Sequence, residues 1–429
     1  MSLITRINDA RRSPMVGSFM VYSLDYGLRI VVQLGYFIII SRSLGASGYG
    51  LFAAVVAISQ LAAAFTGIGC EQVLIRRVAR DGTPFPLALG NAVSATLLSL
   101  PVLVPLATLV AMALGLEGLT LTTVLLLVLA DVGLHRGVTL ANMAFQAHEQ
   151  ARPQLVINIT ASLIKLAAAV LAFWLSSPLT LEIWAWWYAG STVLASLFAF
   201  TLLVIRLGGP RLVFYPRDLG DGFIYALEYA SMAALRDLDK PVVADTLGSA
   251  AAGAYAAAFR IVDTATVPVR ALLRTTYVRY FHHAGQGVDA AIGFARKVLP
   301  IMAGGSLVLA IGLLVGAPVI PLLIGEDYDE AVPIIRWLAI YPLVFGLSSM
   351  GADLLRGLNL QRARLIVMLV ATITYVPIVW LGAEAFGVEG AAIARTISQV
   401  LLLAATAWII ARVSRRHAQD QRGTGEPSA

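Results

Sequence analysis

The chain has little of what a soluble enzyme usually carries. Only one cysteine, Cys70, occurs among its 429 residues, so no disulfide can form within the chain and no thiol metal cluster is expected. Charged residues make up 13%, against about a quarter in a typical soluble domain. There is no Walker A loop, no HExxH and no Gly-x-Ser-x-Gly, so none of the enzyme classes that those motifs mark is indicated. We therefore expect no cofactor, no metal site and no nucleic-acid partner.

Apolar sequence fills the chain instead. Hydrophobic residues reach 59%, and about twelve apolar stretches are long enough to cross a bilayer, which takes roughly 20 residues. The predicted spans are 14–41, 49–72, 86–113, 119–146, 153–175, 182–205, 220–246, 251–275, 295–316, 331–356, 364–383 and 389–412. Because the backbone in lipid must satisfy its own hydrogen bonds, all of them should be helices. The fold class is therefore an all-α polytopic membrane protein.

Basic residues are scarce in every second junction between these spans. Six junctions, around 42–48, 114–119, 176–182, 246–251, 317–330 and 383–389, hold one basic residue in total, Arg42. The seven alternating junctions are basic, with Arg6, Arg11 and Arg12; Arg76, Arg77 and Arg80; Arg152; Arg206, Arg211 and Arg217; Arg279, Arg296 and Lys297; Arg362 and Arg364; and Arg412, Arg415 and Arg416. Since cytoplasmic loops retain Lys and Arg, we expect both termini in the cytoplasm.

The sequence repeats itself. The pattern L-G-x-x-x-x-G-x-aromatic-A occurs at 44–53 and again at 247–256, each time at the entry to a span. A second echo, Gln-Ala-Arg at 150–152 and Gln-Arg-Ala-Arg at 361–364, precedes spans five and eleven. Chance in a Gly- and Ala-rich chain is the alternative, but the matched positions favour two parallel halves. The predicted domains are an N-terminal six-helix lobe at 1–210, a C-terminal six-helix lobe at 211–416 and a disordered cytoplasmic tail at 417–429.

Charged side chains inside the first spans are the strongest functional signal, because each costs several kcal/mol unless it faces a partner or water. In span one, Asp25, Arg29 and Gln33 are spaced four residues apart and share a helical face. A structural pair between Asp25 and Arg29 is one interpretation, and a polar stripe lining a cavity is the other.

Spans four and five carry the next charged group. Asp131 and His135 are four residues apart, with Arg136 adjacent, and a histidine beside a carboxylate can titrate near neutral pH. A histidine that only donates a hydrogen bond between helices is the alternative. Lys165 has no carboxylate at helical spacing, so we expect it to find a partner on another span or to face water.

Spans seven to twelve add further charges. Glu228 lies deep in span seven, and Arg260 and Asp263 in span eight are spaced to pair. Arg270 and Arg274 share a face and are interpreted as surplus positive charge. Three arginines nearer helix ends are expected to snorkel to the surface, namely Arg336, Arg356 and Arg395. The predicted cavity residues are Asp25, Arg29, Gln33, Asp131, His135, Arg136, Lys165, Glu228, Arg260, Asp263 and Arg270.

Three segments carry a resemblance to a known family. Residues 41–52, followed by Gly67-Ile68-Gly69, resemble the LG-x-x-x-Y-G-x-[FY] … GLG opening of the polysaccharide transport family, the bacterial oligosaccharide repeat-unit flippases. Asp239 and the stretch 247–260 are similar to its D … LG … G-x-Y-x-x-A-x-R pattern. The stretch 387–392 fits as well.

The resemblance implies two six-helix lobes around a central cavity, alternating access, and coupling to H+ or Na+ as is common in the superfamily. It implies a substrate of oligosaccharide on polyprenyl pyrophosphate, moved across the bacterial inner membrane. Polysaccharide polymerases and glycosyltransferases would be its partners. The surplus arginine suits a pyrophosphate. A multidrug and toxin extrusion exporter is the main alternative, and a polysaccharide polymerase or ligase is disfavoured because no long external loop is present.

Overall fold

The structure is a computed structural model that describes residues 14–176 and 178–423; the side chains of 14–26, 278, 418 and 420–423 lie outside that description. The described residues form helices and no strands. The chain divides into two compact units, Met1–Ala234 (the first unit) and Leu235–Ala429 (the second unit). The predicted lobe boundaries at 210 and 416 remain predictions.

Eight helices belong to the first unit, with a π-helical segment, Leu129–Leu134, between α4 and α5. They are α1 Pro14–Ala63, α2 Cys70–Ala79, α3 Phe85–Ala113, α4 Leu121–Val128, α5 Arg136–Ala147, α6 Ala151–Leu175, α7 Leu181–Leu207 and α8 Asp218–Asp237, whose last turn enters the second unit. Threonines cap two of them, because Thr120 Oγ1 accepts from Thr123 N at 3.2 Å and Thr180 Oγ1 accepts from Ile183 N at 3.3 Å.

The second unit continues with α9 Asp239–Leu247, α10 Ser249–Ala265, α11 Val267–Gly285, α12 Val288–Gly316, α13 Ile320–Ile324, α14 Ala331–Leu338, α15 Tyr341–Gly357 and α16 Gln361–Gly423. Two sequence-based expectations change here. The connection predicted at 276–294 is mostly helical, since no glycine interrupts α11 before Gly285. The last helix also continues into the predicted tail as far as Gly423, and 424–429 lie outside the described residues.

The span count agrees with the predicted fold class. Within the described ranges, eight continuous helical stretches are long and apolar enough to cross a membrane. Two of them are helix pairs joined across a kink, at Gly45 in α1 and at Phe386–Gly387 in α16. Two more predicted spans, 220–246 and 251–275, fall in helical stretches at 218–247 and 249–285 that are not among these eight, so they remain predictions.

The repeated sequence pattern corresponds to a repeated backbone turn. Its second residue is Gly45 in one copy and Gly248 in the other, with φ of 64° and 90°. Residues that carry a Cβ atom rarely adopt such φ angles, so glycine is needed at both positions. The matching turns explain why the two copies share this residue.

A further glycine, Gly69, allows the backbone before α2 to pack closely against α8. Gly69 has φ 69°, and a Cβ placed on it would lie 2.1 Å from Gly222 O on α8. We predict that Gly69→Ala destabilises the protein by about 1–3 kcal/mol, because the added methyl overpacks this contact. Gly220→Ala is the matched control, since a Cβ there meets nothing within 4 Å. Melting of the detergent-solubilised protein measures both, and equal melting temperatures for the two variants would contradict the prediction.

Candidate functional site

A buried carboxylate network occupies the first unit. Asp131 is only 2% exposed, and Tyr188 Oη donates a hydrogen bond of 2.8 Å to its Oδ1. Lys165 Nζ donates in turn to Tyr188 Oη at 3.2 Å and lies 4.3 Å from the centre of the same ring. Asp131 Oδ2 is buried and accepts no hydrogen bond from the described residues. We call Asp131, Tyr188 and Lys165 the first network.

The π-helical segment places Asp131 in this network. Its wider turn is closed by His135 N donating to Ala130 O at 2.8 Å, and π-helical turns often occur at functional sites. Neighbouring helices satisfy its carbonyls, with Thr66 Oγ1 donating to Val132 O at 3.2 Å and Ser196 Oγ donating to Leu134 O. Among the described contacts, no hydrogen bond joins His135 to Asp131. The histidine–carboxylate interaction expected from their spacing is therefore not formed.

Arg136 forms an ion pair beside the first network and also contacts the backbone of Asp131. Its side chain is largely buried and lies 3.6 Å from Glu71 on α2. It also donates a long hydrogen bond of 3.4 Å to Asp131 O. The predicted site included Arg136 but missed its carboxylate partner, Glu71, which lies 65 positions earlier in the chain.

A second buried network lies in the second unit. Asp239 Oδ2 accepts from Tyr255 Oη at 2.5 Å, from Tyr375 Oη at 2.9 Å and from Arg395 Nη1. The Arg395 guanidinium donates further to Tyr375 Oη and to Arg236 O, both at 3.0 Å. It also stacks 3.3 Å from the ring centre of Phe259. We call Asp239, Tyr255, Tyr375 and Arg395 the second network.

This network corrects one expectation. Arg395 does not snorkel, because it is 2% exposed and its charge is balanced by Asp239. Asp239, Tyr255, Tyr375 and Arg395 were all absent from the predicted cavity set. Asp239 and Tyr255 do occur in the family-like pattern at 239–260, which was the one sequence signal for them.

Arg270 also differs from its expected role. It forms an ion pair with Asp263, with a further contact of 3.4 Å from Nη1 to Oδ2. The two residues are seven apart and so share a helical face, and the helix is interrupted between them at Thr266, ahead of Pro268. Arg270 is therefore not surplus charge, and Asp263 finds its ion-pair partner on α11 in addition to the neighbouring Arg260 on its own helix.

The remaining predicted site residues include Arg29, which interacts electrostatically with His135. Arg29 and Gln33 are half-buried on α1, and Glu228 is half-buried on α8. The side chain of Asp25 lies outside the described residues. No group of three or more His, Cys, Asp or Glu that could hold a metal ion occurs among the described side chains. The structure thus joins Asp131 to Lys165 through Tyr188 and Asp263 to Arg270 directly, and the grouping of all eleven predicted residues into one cavity remains a prediction.

The repeated pattern contacts both networks. Its ninth residue is Phe52 in the first copy and Tyr255 in the second. Phe52 packs edge-on against Tyr188 with ring centres 5.4 Å apart, and Tyr255 donates to Asp239. Each unit thus holds a buried carboxylate, a tyrosine and a cation beside its repeat, although different helices supply them.

Comparison with solved structures defines the class of protein. An inward-facing multidrug resistance MATE family transporter of the MOP superfamily matches with a TM-score of 0.73 and 17% identity, covering 90% of this chain and 95% of that one. Its outward-facing conformation matches with a TM-score of 0.65 and 17% identity, covering 93% and 96%. A MOP superfamily transporter from Pyrococcus furiosus, described as having a binding pocket of reverse polarity, matches with a TM-score of 0.63 and 18% identity, covering 92% and 95%. The chain therefore has the two-lobe fold of these multi-pass membrane transporters.

Sequence comparison identifies the family. The model of the polysaccharide biosynthesis protein family matches residues 16–278, and the chain belongs to that family. The resemblance predicted from residues 41–52 and 239–260 is thus confirmed. No curated protein matches the chain.

Proposed function

We propose that this protein is a flippase that moves polyprenyl-pyrophosphate-linked oligosaccharide repeat units across the cytoplasmic membrane by alternating access, for surface polysaccharide assembly. The observation that carries the proposal is membership of the polysaccharide biosynthesis family on a transporter fold. A polysaccharide precursor that is carried on a polyprenyl lipid has to cross the membrane, and that step needs a transporter.

The charge inside the spans supports an anionic substrate. Arg29 and Lys165 are half-buried, and Arg274 is exposed on α11. Guanidinium groups suit phosphate oxygens because their forked donors match them in pairs. Arg270 and Arg395 contribute less to this charge, because each is paired with an aspartate.

The alternative is a multidrug exporter, which the structural neighbours favour. The Pyrococcus furiosus transporter, described as having a binding pocket of reverse polarity, supports the view that this fold accommodates solutes of different charge. The pairing of Asp131 with Lys165 through Tyr188 disfavours a cationic drug, because the carboxylate already interacts with a cation. A membrane-embedded polymerase or ligase is the less favoured alternative.

The remaining features of the proposal follow from the resemblance. Transport is coupled to an H+ or Na+ gradient and needs no resident cofactor. The protein lies in the bacterial inner membrane with both termini in the cytoplasm, and it acts with a polysaccharide polymerase and glycosyltransferases.

A transport assay separates the two functions. Full-length protein in liposomes is given a fluorescent polyprenyl-pyrophosphate oligosaccharide, and an impermeant quencher reports which leaflet holds the label. We expect protein-dependent exchange of the glycolipid between leaflets and no export of the cationic dye ethidium. Export of ethidium with no movement of the glycolipid would reject the flippase in favour of the exporter.

Deletion of the gene tests the same function in the cell. We expect lipid-linked repeat units to accumulate in the cytoplasmic leaflet and surface polysaccharide to fall to background, because no precursor reaches the polymerase. Complementation with the intact gene is the control. Normal surface polysaccharide in a deletion strain that has no paralogue would contradict the proposal.

A further inference from the structure

A partly exposed aromatic face lies in the first unit. On α8, Tyr225, Tyr229 and Met232 are spaced four and three residues apart, so they lie on one side of the helix. Their exposed fractions are 37%, 45% and 52%. Gln72 Nε2 on α2 donates a hydrogen bond of 3.1 Å to Tyr229 Oη. We call Tyr225, Tyr229, Met232 and Gln72 the tyrosine face.

Charged groups border this face. Glu71, adjacent to Gln72, forms the 3.6 Å ion pair with Arg136, and the two side chains are 17% and 11% exposed. Glu71 and Glu228 both interact electrostatically with Tyr229. The face therefore combines two phenol rings with an amide, a guanidinium and two carboxyl groups.

The position of the face indicates contact with water or solute instead of lipid. Tyr229 lies 11 residues beyond Asp218, where α8 begins, which is roughly 16 Å along the helix. At that depth, contact between acyl chains and a face that carries an amide, an ion pair and nearby carboxyl groups is unfavourable. Polar groups that remain partly exposed within a membrane span usually border a water-filled cavity.

We infer that the tyrosine face is a sugar-binding subsite, and this rests on the proposed function. A sugar ring presents a C–H face, which packs on aromatic rings, and hydroxyls, which both donate and accept. The Gln72 amide can do both, Glu71 accepts and Arg136 donates.

Two guanidinium groups lie near the face, Arg136 and Arg76, and Arg76 interacts electrostatically with Tyr225. A phosphate group fits this face poorly, because Arg136 is already paired with Glu71 and Arg76 with Asp221. The subsite therefore takes the oligosaccharide, and the pyrophosphate binds elsewhere.

Binding by the purified full-length protein tests this assignment. The probes are the lipid-linked repeat unit extracted from the deletion strain and polyprenyl pyrophosphate without sugar. We expect Tyr229→Ala to weaken binding of the glycolipid about tenfold, the loss of roughly one good aromatic contact, and to leave polyprenyl pyrophosphate binding unchanged. Tyr229→Phe keeps the ring and should retain most of the glycolipid affinity.

Controls separate this subsite from folding and from the wider function. Phe223→Ala removes an exposed aromatic residue on another side of α8, beside Phe65, and should bind both probes like the parent protein. If Tyr229→Ala does not fold, Gln72→Ala provides the same comparison, with an expected weakening for the glycolipid alone. Equal affinity of Tyr229→Ala and the parent protein for the glycolipid, or an equal loss for both probes, would overturn the subsite. A parent protein that binds neither probe would instead reject the proposed function.

Discussion

Replacing Arg395 by leucine is expected to lower the free energy of unfolding by about 3–5 kcal/mol, among the largest effects that we predict. The guanidinium is buried and donates to Asp239, Tyr375 and two backbone carbonyls. Its removal leaves the carboxylate of Asp239, 1% exposed, without a balancing charge. Melting of the purified protein in detergent, followed by tryptophan fluorescence, measures the loss.

The double variant Asp239→Asn, Arg395→Leu shows whether the unbalanced charge is the cause. An asparagine carbonyl can still accept from Tyr255 and Tyr375 but carries no charge, so stability should partly recover. Arg336→Leu is the matched control, because Arg336 is exposed on α14 of the same unit and its loss should have little effect. A double variant no more stable than Arg395→Leu would contradict this account.

The helices and their junctions could be predicted from the sequence because bilayer physics acts on each segment alone. A run of roughly 20 apolar residues has few alternatives to a helix in lipid, and predicted spans such as 86–113 and 331–356 end within a residue of α3 and of the α14–α15 pair. The paired turns at Gly45 and Gly248 were likewise visible as a repeat. The sequence was therefore sufficient to predict those features that depend only on residues close together in the chain.

The buried networks could be predicted only in part because they join residues from distant helices. Asp131 and Lys165 were identified as costly charges, but Tyr188, which connects them, is an ordinary residue in an apolar span and gives no signal of its own. The segment that holds Asp131 is π-helical, and a periodicity of 3.6 residues does not describe such a segment. Arg395 was assigned to a helix end because Asp239, 156 positions earlier in the chain, is not at helical spacing.

The sequence also misjudged Arg270 for a physical reason. Surplus charge was inferred from its own helix face, on which no carboxylate lies at three or four residues. Asp263 lies seven positions earlier, on the same helical face, and the long arginine side chain reaches it. A search for partners of an intramembrane arginine should therefore include the spacing of seven residues.

Replacing Tyr188 by phenylalanine is expected to have a comparable effect in the first unit. The change keeps the ring beneath Lys165 and its contacts with Phe52, and removes only the hydroxyl that donates to Asp131 and accepts from Lys165. Hydrogen bonds to charged groups contribute about 1.5–3 kcal/mol each, so the loss of both should destabilise the protein by about 3 kcal/mol or more. Thermal melting measures this loss, and the liposome assay measures transport.

We attribute the loss of stability in Tyr188→Phe to the buried carboxylate of Asp131. Asp131 Oδ2 already accepts no hydrogen bond from the described residues, and Tyr188→Phe removes one of the few donors to this buried carboxylate, of which Gln60 is another. Asp131→Asn, combined with Tyr188→Phe, should therefore be more stable than Tyr188→Phe alone.

Ser191→Ala is the matched control, because Ser191 is equally buried on α7 but its hydroxyl donates only to the Tyr188 carbonyl of its own helix. If the first network also orients Lys165 toward substrate, Tyr188→Phe lowers the transport rate about tenfold or more at temperatures where the protein stays folded. Stability and transport equal to those of Ser191→Ala would show that Asp131 and Lys165 do not depend on this hydroxyl.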